Sequence, residues 1–582
     1  MVPAALGLNF HHDTSAALIV DGHLYAAEEE RWSGLKHHRA PGGDKGVLTL
    51  PGEALAWCLD AAGVDPADID TVWAPAMRPD PPGGSCLSTE REELAALLPA
   101  PLGRRLRLLS HHTAHVLAGY LVSGLEHAAG LVIDGGGSAL GADLGPGRER
   151  ISGYDLRPDR VERVHQLPTT LTAGPGGVQR THHSLGHLYR NLALRTIPPG
   201  DEPEGSMMAL AAFGDPARFG PALRDLIHLG DEGQIRIAHP WGSRDHHTAL
   251  PLTPHQWTVA GTPDIPLHIR ADLAAAAQQV FTEAVVHVAR HLRQLTGARD
   301  LVFSGGCALN AHLNGHLAHD SGFDSLFVAP APHDAGTAVG AALYAWTYQL
   351  GEPPSLGAVN AAWGPGPGTL SSDAVPDGYR AVHGLGPDLA PTVAALLTEN
   401  HIVGWVQGPM EFGPRALGQR SILAHPGRAS TAIRLNTIKQ RAGFRPFAPV
   451  VLGEHLAEWF DGDADPFMNR VVRVRPERLN RIPAVTHHDG TARAQAVAPG
   501  SGPLRELLQE FHQRAGIPLL LNTSLNLKGT PILRTADQAA QAVSALRLDA
   551  LAIGDTLLLA NHLTAPDTSP LADRLLAERL AG

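Results

Sequence analysis

Between Gly404 and Arg428 the chain reads GWVQGPMEFGPRALGQRSILAHPGR, with Glu411, Arg415, Arg420 and Arg428 set among Gly408, Gly413, Pro414 and Gly418. Glycines let backbone N–H groups approach a ligand closely, and guanidinium forks grip phosphate or carboxylate oxygens through paired hydrogen bonds. The stretch carries neither helical nor strand periodicity, so it reads as a loop that holds a small anion. The bland alternative is a surface turn with solvated arginines. Further basic and amide groups follow at Lys439, Arg441 and Arg445, at Arg493 and Gln495, and at Asn522, Ser524, Asn526 and Lys528. Four of the 46 basic residues are lysine, and two of those four, Lys439 and Lys528, fall in these blocks. A chain that writes its positive charge as arginine keeps a lysine where a compact point charge is wanted.

A second constellation lies upstream. SHHTAHVLAGY, from Ser110, begins a helix on which His111 and His115 share one face, where two imidazoles can bind one metal. His112 competes with His111 and faces about 100° away. With 33 histidines in the chain, such a pair arises by chance. The apolar strand Leu131-Val-Ile-Asp134 strengthens it, because Asp134 adds a carboxylate and Gly135, Gly136 and Gly137 a phosphate loop. Nearer the start, Leu6 to Tyr25 reads as strand, polar turn, strand and an Asp21-Gly22 hairpin turn. That first turn presents His12, Asp13, Thr14 and Ser15, with His11 beside them. Downstream come a long Ala-rich helix from Ala271 to Leu295, a strand Asp300–Ser304, and a turn with Gly305, Gly306 and Asn310. Asp334 precedes a glycine-punctuated helix, GTAVGAALYAW. Strand, Gly-Gly and helix suit an adenosine pocket.

EFGPRALGQRSILAHP, IKQRAGFRPFAPV, THHDGTARAQAV and LNTSLNLKGTPI, in this order, resemble the C-terminal half of the O-carbamoyltransferases of the NodU/CmcH type. The N-terminal motifs match too, so the resemblance covers nearly all of the chain. It implies an α/β (mixed α+β) fold: an N-terminal actin-like (ASKHA, threonylcarbamoyltransferase-like) domain with duplicated subdomains over 1–360, a linker over 361–375, and a C-terminal YrdC-like domain over 376–582. It implies that carbamoyl phosphate and ATP, with magnesium, give carbamoyl adenylate on Arg415, Lys439, Arg445, Arg493, Asn522, Ser524 and Lys528. His12, paired with Asp13, would then deprotonate an acceptor hydroxyl, with Lys36 completing the catalytic set and Gly135, Gly136, Gly305, Gly306 and Asn310 holding the adenylate. Asp334 would complete a metal set with His111, His115 and Asp134. That N, N, O, O set suits iron, manganese or zinc, and the resemblance favours iron. The family usually has a lysine where Ser206 stands, which removes one basic contact to the adenylate phosphate.

The totals agree. At 582 residues more than one domain is expected, since single cores stop growing near about 250–300 residues. A net charge of −12 argues against a nucleic-acid surface, and so against the tRNA-modifying relatives of the fold. Cys58, Cys86 and Cys307 are too few and too scattered for a disulfide framework, and no basic n-region with an apolar run opens the chain, so a cytoplasmic protein is expected. No run approaches the roughly 20 apolar residues of a membrane span. A non-catalytic actin-like nucleotide module or a sugar kinase fits the N-terminal loops alone and leaves 404–445 unexplained. A small-molecule hydroxyl acceptor is the expected partner, and a homodimer is compatible with this reading. Segments 75–105 and 227–266, with no clear pattern, are expected to shape the acceptor pocket, the second as an insertion or lid.

Overall fold

The computed structural model of the chain describes residues 2–38, 48–76, 89–139, 148–168, 170–174, 177–181, 183–198, 202–238, 265–353 and 360–563. They form two compact units, the first from residues 2–29 and 48–353, the second from 30–38 and 360–563. The 361–375 segment, expected as a linker, belongs to the second unit. Its backbone is spent there, Gly364 N–H donating to Met410 O and Phe412 N–H to Ala361 O, each within 2.9 Å.

In the first unit β1 (Ala4–Asn9), β2 (Ser15–Val20), β3 (His23–Glu28), β4 (Thr71–Ala76) and β5 (Leu106–Ser110) form one sheet in the order 3-2-1-4-5. The β1–β2 and β2–β3 pairs are antiparallel, and β1–β4 and β4–β5 parallel. A second sheet repeats this plan. Its strands β6 (Ala128–Ile133), β7 (Glu149–Arg157), β8 (Arg160–Pro168), β9 (Asp300–Ser304) and β10 (Ser325–Phe327) run in the order 10-9-6-7-8, with the same alternation of antiparallel and parallel pairs. The duplication expected for an actin-like core is therefore present in strand order and direction. Every residue of β1 and β6 is buried, as a parallel-paired central strand covered on both faces requires.

Glycines let the covering helices in. Gly7 of β1 faces the helix Gly336–Tyr344, where a Cβ would lie 2.0 Å from Ala338 O. On its other side that helix packs on His111–Ser123, and a Cβ on Gly340 would fall 1.8 Å from Ala114 O. Gly340→Ala is expected to force these helices apart and cost the first unit about 3 kcal/mol, read as a lower melting temperature. Because Asp334 leads into one helix and His111 and His115 ride on the other, the same variant should also bind divalent metal more weakly.

Two loop expectations change. Pro75 and Ala76 still pair with Leu109 and Ser110, so the 75–105 segment, expected to have no clear pattern, opens in a strand, and residues 77–88 lie outside those described. In the 227–266 segment, Ile227–Leu229 and Ile235–Ile237 make a hairpin whose isoleucines are buried, while residues 239–264 lie outside those described.

The second unit is built on an eight-stranded sheet. Its strands are β11 (Tyr379–Val382), β12 (Val403–Val406), β13 (Arg420–Ala424), β14 (Ala448–Leu452), β15 (Gln495–Val497), β16 (Leu519–Ser524), β17 (Ala550–Ile553) and β18 (Thr556–Ala560), in the order 11-18-17-12-13-16-14-15. Among the described residues no helix is long and apolar enough to cross a membrane.

Candidate metal centre and anion site

Ser110 caps the His111–Ser123 helix by accepting from Thr113 N–H, which fixes its first turn at the end of β5. From that turn His111 and His115 point their Nε2 atoms at each other, 3.0 Å apart. Asp134, just after β6, and Asp334, just before the Gly336–Tyr344 helix, close the group. Asp334 Oδ1 lies 3.6 Å from His111 Nε2 and 3.4 Å from His115 Nε2, and Asp134 Oδ2 lies 3.8 Å from His111 Nε2. All four ligand atoms lie within 4.8 Å of one another. Metal–ligand bonds of about 2.1 Å place neighbouring ligands about 3.0 to 3.4 Å apart. One proton shared between the imidazoles would satisfy a single pair; a divalent ion would satisfy all four groups.

The surroundings hold these ligands. Asp134 accepts from Gly306 N–H at 3.0 Å and from Gly136 N–H at 3.2 Å. Gly305 sits at φ +91°, where a Cβ would lie 2.4 Å from Ile133 O, so this loop tolerates no side chain. Burial alone would lower the His111 imidazole, but Asp334 and Asp134 outweigh it and raise it to about 10. Burial would raise Asp334, yet His111 and His115 hold it well below the usual carboxylate range. His112, the sequence competitor, is wholly buried elsewhere, its Nδ1 2.6 Å from Ser152 Oγ. Burial lowers it to about 3. Its depressed pKa means the stability it contributes is complete above its ordinary value of 6.5 and is lost as pH falls toward 3. The first unit is therefore expected to lose up to about 1.4 kcal/mol per pH unit through that window. His112→Asn should flatten the acid limb of its melting-temperature profile.

The His12 turn is tied to the same loop by a residue sequence reasoning missed. Asn9 Nδ2 donates to His12 O at 2.8 Å, Asp13 O at 3.1 Å and Asp334 O at 3.2 Å. Asp13 takes φ 59°, rare for a residue with a side chain, and its carboxylate grips His12 Nδ1. His11, the other candidate, faces Glu90 at 3.7 Å. Gly136 faces Arg150, a buried arginine that donates to Gly135 O, while Gly135 itself faces His187. Ser206, where the resemblance expects a lysine, is wholly buried. Asn310 is committed structurally: its Oδ1 accepts from Leu313 N–H as a helix cap, and its Nδ2 donates to Gln278 Oε1. Lys36 groups with the second unit.

There, the turn between β12 and β13 is braced from inside. Glu411 Oε1, 1% exposed, accepts from Leu417 N–H and Arg420 N–H. Arg420, expected to grip an anion, instead spends its guanidinium on the carbonyls of Arg534, Gln407, Gly408, Gln419 and Pro365. Asn522 donates to Ala416 O at 3.2 Å and to Gln495 Oε1 at 3.0 Å, and Gln495 donates to Leu417 O at 2.7 Å. Since Ala416 O must accept, the Asn522 nitrogen faces it, and Asn522 Oδ1 is buried with no partner among the described residues. Lys439, at the end of the helix Ala429–Ile438, donates to Ser524 O at 2.6 Å and to Asn526 Oδ1 at 2.6 Å. Lys528 is exposed.

Several cations are desolvated together. Burial and Arg493 lower Arg415 to about 9, burial with Arg445 and Arg493 lowers Arg441 to about 9, and burial with Arg445 lowers Arg493 to about 10. Burial, Arg441, Arg445 and Lys36 hold Lys439 well below its ordinary value. The acid acting on Arg415 and Arg493 is Asp465, itself raised by burial. Mutually repelling cations in a dry site call for an anion.

Residues 102–343 match the family model described as carbamoyltransferase N-terminus, and 394–559 the one described as carbamoyltransferase C-terminus. The chain belongs to the carbamoyltransferase family. This carbamoyltransferase is 34% identical to nodulation protein NolNO of Sinorhizobium fredii, over 97% of this chain and 81% of that one. It is 34% identical to the 3'-hydroxymethylcephem-O-carbamoyltransferase of Streptomyces clavuligerus, over 68% of this chain and 72% of that one. Among solved structures, full-length HypF in its phosphate- and nucleotide-bound form aligns at 16% identity and a TM-score of 0.33, covering 59% of this chain and 55% of that one. The fold of the carbamoyltransferase stands on its own strand order.

Proposed function

We propose that this carbamoyltransferase makes carbamoyl adenylate in the second unit and passes its carbamoyl group to a hydroxyl of a small secondary metabolite in the first. The observation that carries the reading is one group of mutually depressing cations, buried Arg415 and Lys439 with half-buried Arg441, Arg445 and Arg493. Carbamoyl phosphate and the ATP phosphates, with their magnesium, supply the negative charge such a group needs. There water would cleave carbamoyl phosphate to carbamate and phosphate, and a carbamate oxygen would attack the ATP α-phosphorus, giving carbamoyl adenylate with diphosphate as leaving group, the cations offsetting charge as it develops. Asn522 Oδ1 supports the assignment, because a carbamoyl group offers the N–H donors that this buried acceptor needs.

In the first unit His12, oriented by Asp13, would take the proton of the acceptor hydroxyl as its oxygen attacks the carbamoyl carbon and AMP leaves. His111, His115, Asp134 and Asp334 fit a divalent ion such as iron, manganese or zinc. Bound there, it would supply Lewis-acid charge beside the adenylate. A hydroxyl acceptor agrees with the name of the relative from Streptomyces clavuligerus, a 3'-hydroxymethylcephem-O-carbamoyltransferase. The test is product analysis with ATP, carbamoyl phosphate and magnesium. AMP and diphosphate that require carbamoyl phosphate are expected; ADP formed without it would contradict the proposal.

A further inference from the structure

Residues 30–38 belong by sequence to the N-terminal half but group with the C-terminal unit. Arg31 is the reason. It is 4% exposed, and its Nη2 donates to Gly413 O at 2.8 Å while its Nη1 pairs with Glu30 Oε1 at 2.8 Å. Glu30 Oε2 in turn accepts from His37 N–H at 2.6 Å, which folds residues 30–37 into a compact strap. Trp32 lies under the Arg534 guanidinium at 4.7 Å, and Arg534 O accepts from Arg420 Nε at 3.0 Å. The strap therefore touches the anion turn directly through Gly413 and indirectly through Arg420.

Gly413 needs holding. It sits at φ 120°, in the region that L side chains rarely adopt, and it leads through Pro414 into Arg415. Arg415 repels Arg493, and its Nη1 donates to Asn469 Oδ1, which holds the guanidinium and leaves the Gly413–Pro414 backbone to be fixed by another contact. A charge-assisted bond to the carbonyl one peptide before Pro414 supplies that contact. We propose that Arg31 is a positioning residue of the second unit's anion site, fixing the Gly413–Arg415 turn so that Arg415 faces the anion. Lys36 of the same strap lies close enough to Lys439 to depress it, which agrees with a strap laid along this site. The inference rests on the anion-site reading given above.

The test is a calorimetric titration of the full chain with inorganic phosphate, at a temperature where each variant is shown folded by its melting curve. Wild type should bind, and Arg415→Ala should lose most of that binding. Arg31→Ala should weaken it about tenfold, the effect of one charge-assisted hydrogen bond. Arg31→Lys, which keeps a charged donor, should recover part of the loss. Since Arg31 acts through Arg415, the double variant should bind no worse than Arg415→Ala alone. An Arg31→Ala chain that melts earlier but binds phosphate as wild type does would overturn the positioning role while leaving the anion site intact. Failure of wild type to bind would overturn the anion-site reading and the inference with it.

Discussion

His115→Ala is expected to weaken divalent-metal binding by more than about a hundredfold, beyond what loss of a supporting contact costs. Four donors converge within 4.8 Å, and His115 is 1% exposed, so neither water nor a neighbouring side chain readily replaces it. Removing it also leaves Asp134 and Asp334 facing one imidazole instead of two, which raises their cost of staying charged. The measurement is metal content and affinity for iron, manganese and zinc, taken separately on wild type and variant. His112→Asn is the control, because His112 bonds Ser152 and should keep wild-type metal affinity. Equal metal content in His115→Ala and wild type would contradict the assignment.

Arg415→Ala carries the second large effect, and it has two signs. Carbamoyl-phosphate-dependent AMP formation is expected to fall by about 10²- to 10³-fold, the scale seen when one preorganised charge donor is lost. The unliganded protein should at the same time keep or gain melting temperature. Arg415 is 8% exposed, and burial together with Arg493 brings it down to about 9, so folding costs free energy to hold its charge. Adding phosphate should raise the melting temperature of wild type and leave that of Arg415→Ala unchanged. A variant that loses stability while keeping AMP formation would mark Arg415 as a structural brace.

That distinction between ligand and brace is where the sequence was least legible. Arg415 and Arg420 stand five residues apart in one Gly-rich stretch and look alike as text. Only the fold shows that Arg420 is consumed by backbone carbonyls. Asn310 is a similar case, because a turn asparagine can face a ligand or cap the next helix, and here it caps. The convergence of His111, His115 and Asp134 was legible because an HxxxH helix start and an Asp-bearing glycine turn each carry a local signature, whereas Asp334 entered through the resemblance. The duplicated sheets were legible only through resemblance, since strand order repeats without any fixed sequence period. What Asn9 and Arg31 bond was not legible: each donates to a carbonyl distant in sequence, Asp334 for one and Gly413 for the other. Such partners are chosen by the backbone, whose path no local pattern states.

The most direct test of a chemistry divided between the units is a single-turnover quench with ATP, carbamoyl phosphate and a polyol acceptor, followed by mass analysis of nucleotide and acceptor. The account predicts that Lys439→Ala makes no carbamoyl adenylate, yet carbamoylates the acceptor when given preformed carbamoyl adenylate. It predicts that His12→Ala accumulates carbamoyl adenylate and leaves the acceptor unmodified. A Lys439→Ala protein that still forms the adenylate, or a His12→Ala protein that still transfers at the wild-type rate, would contradict it.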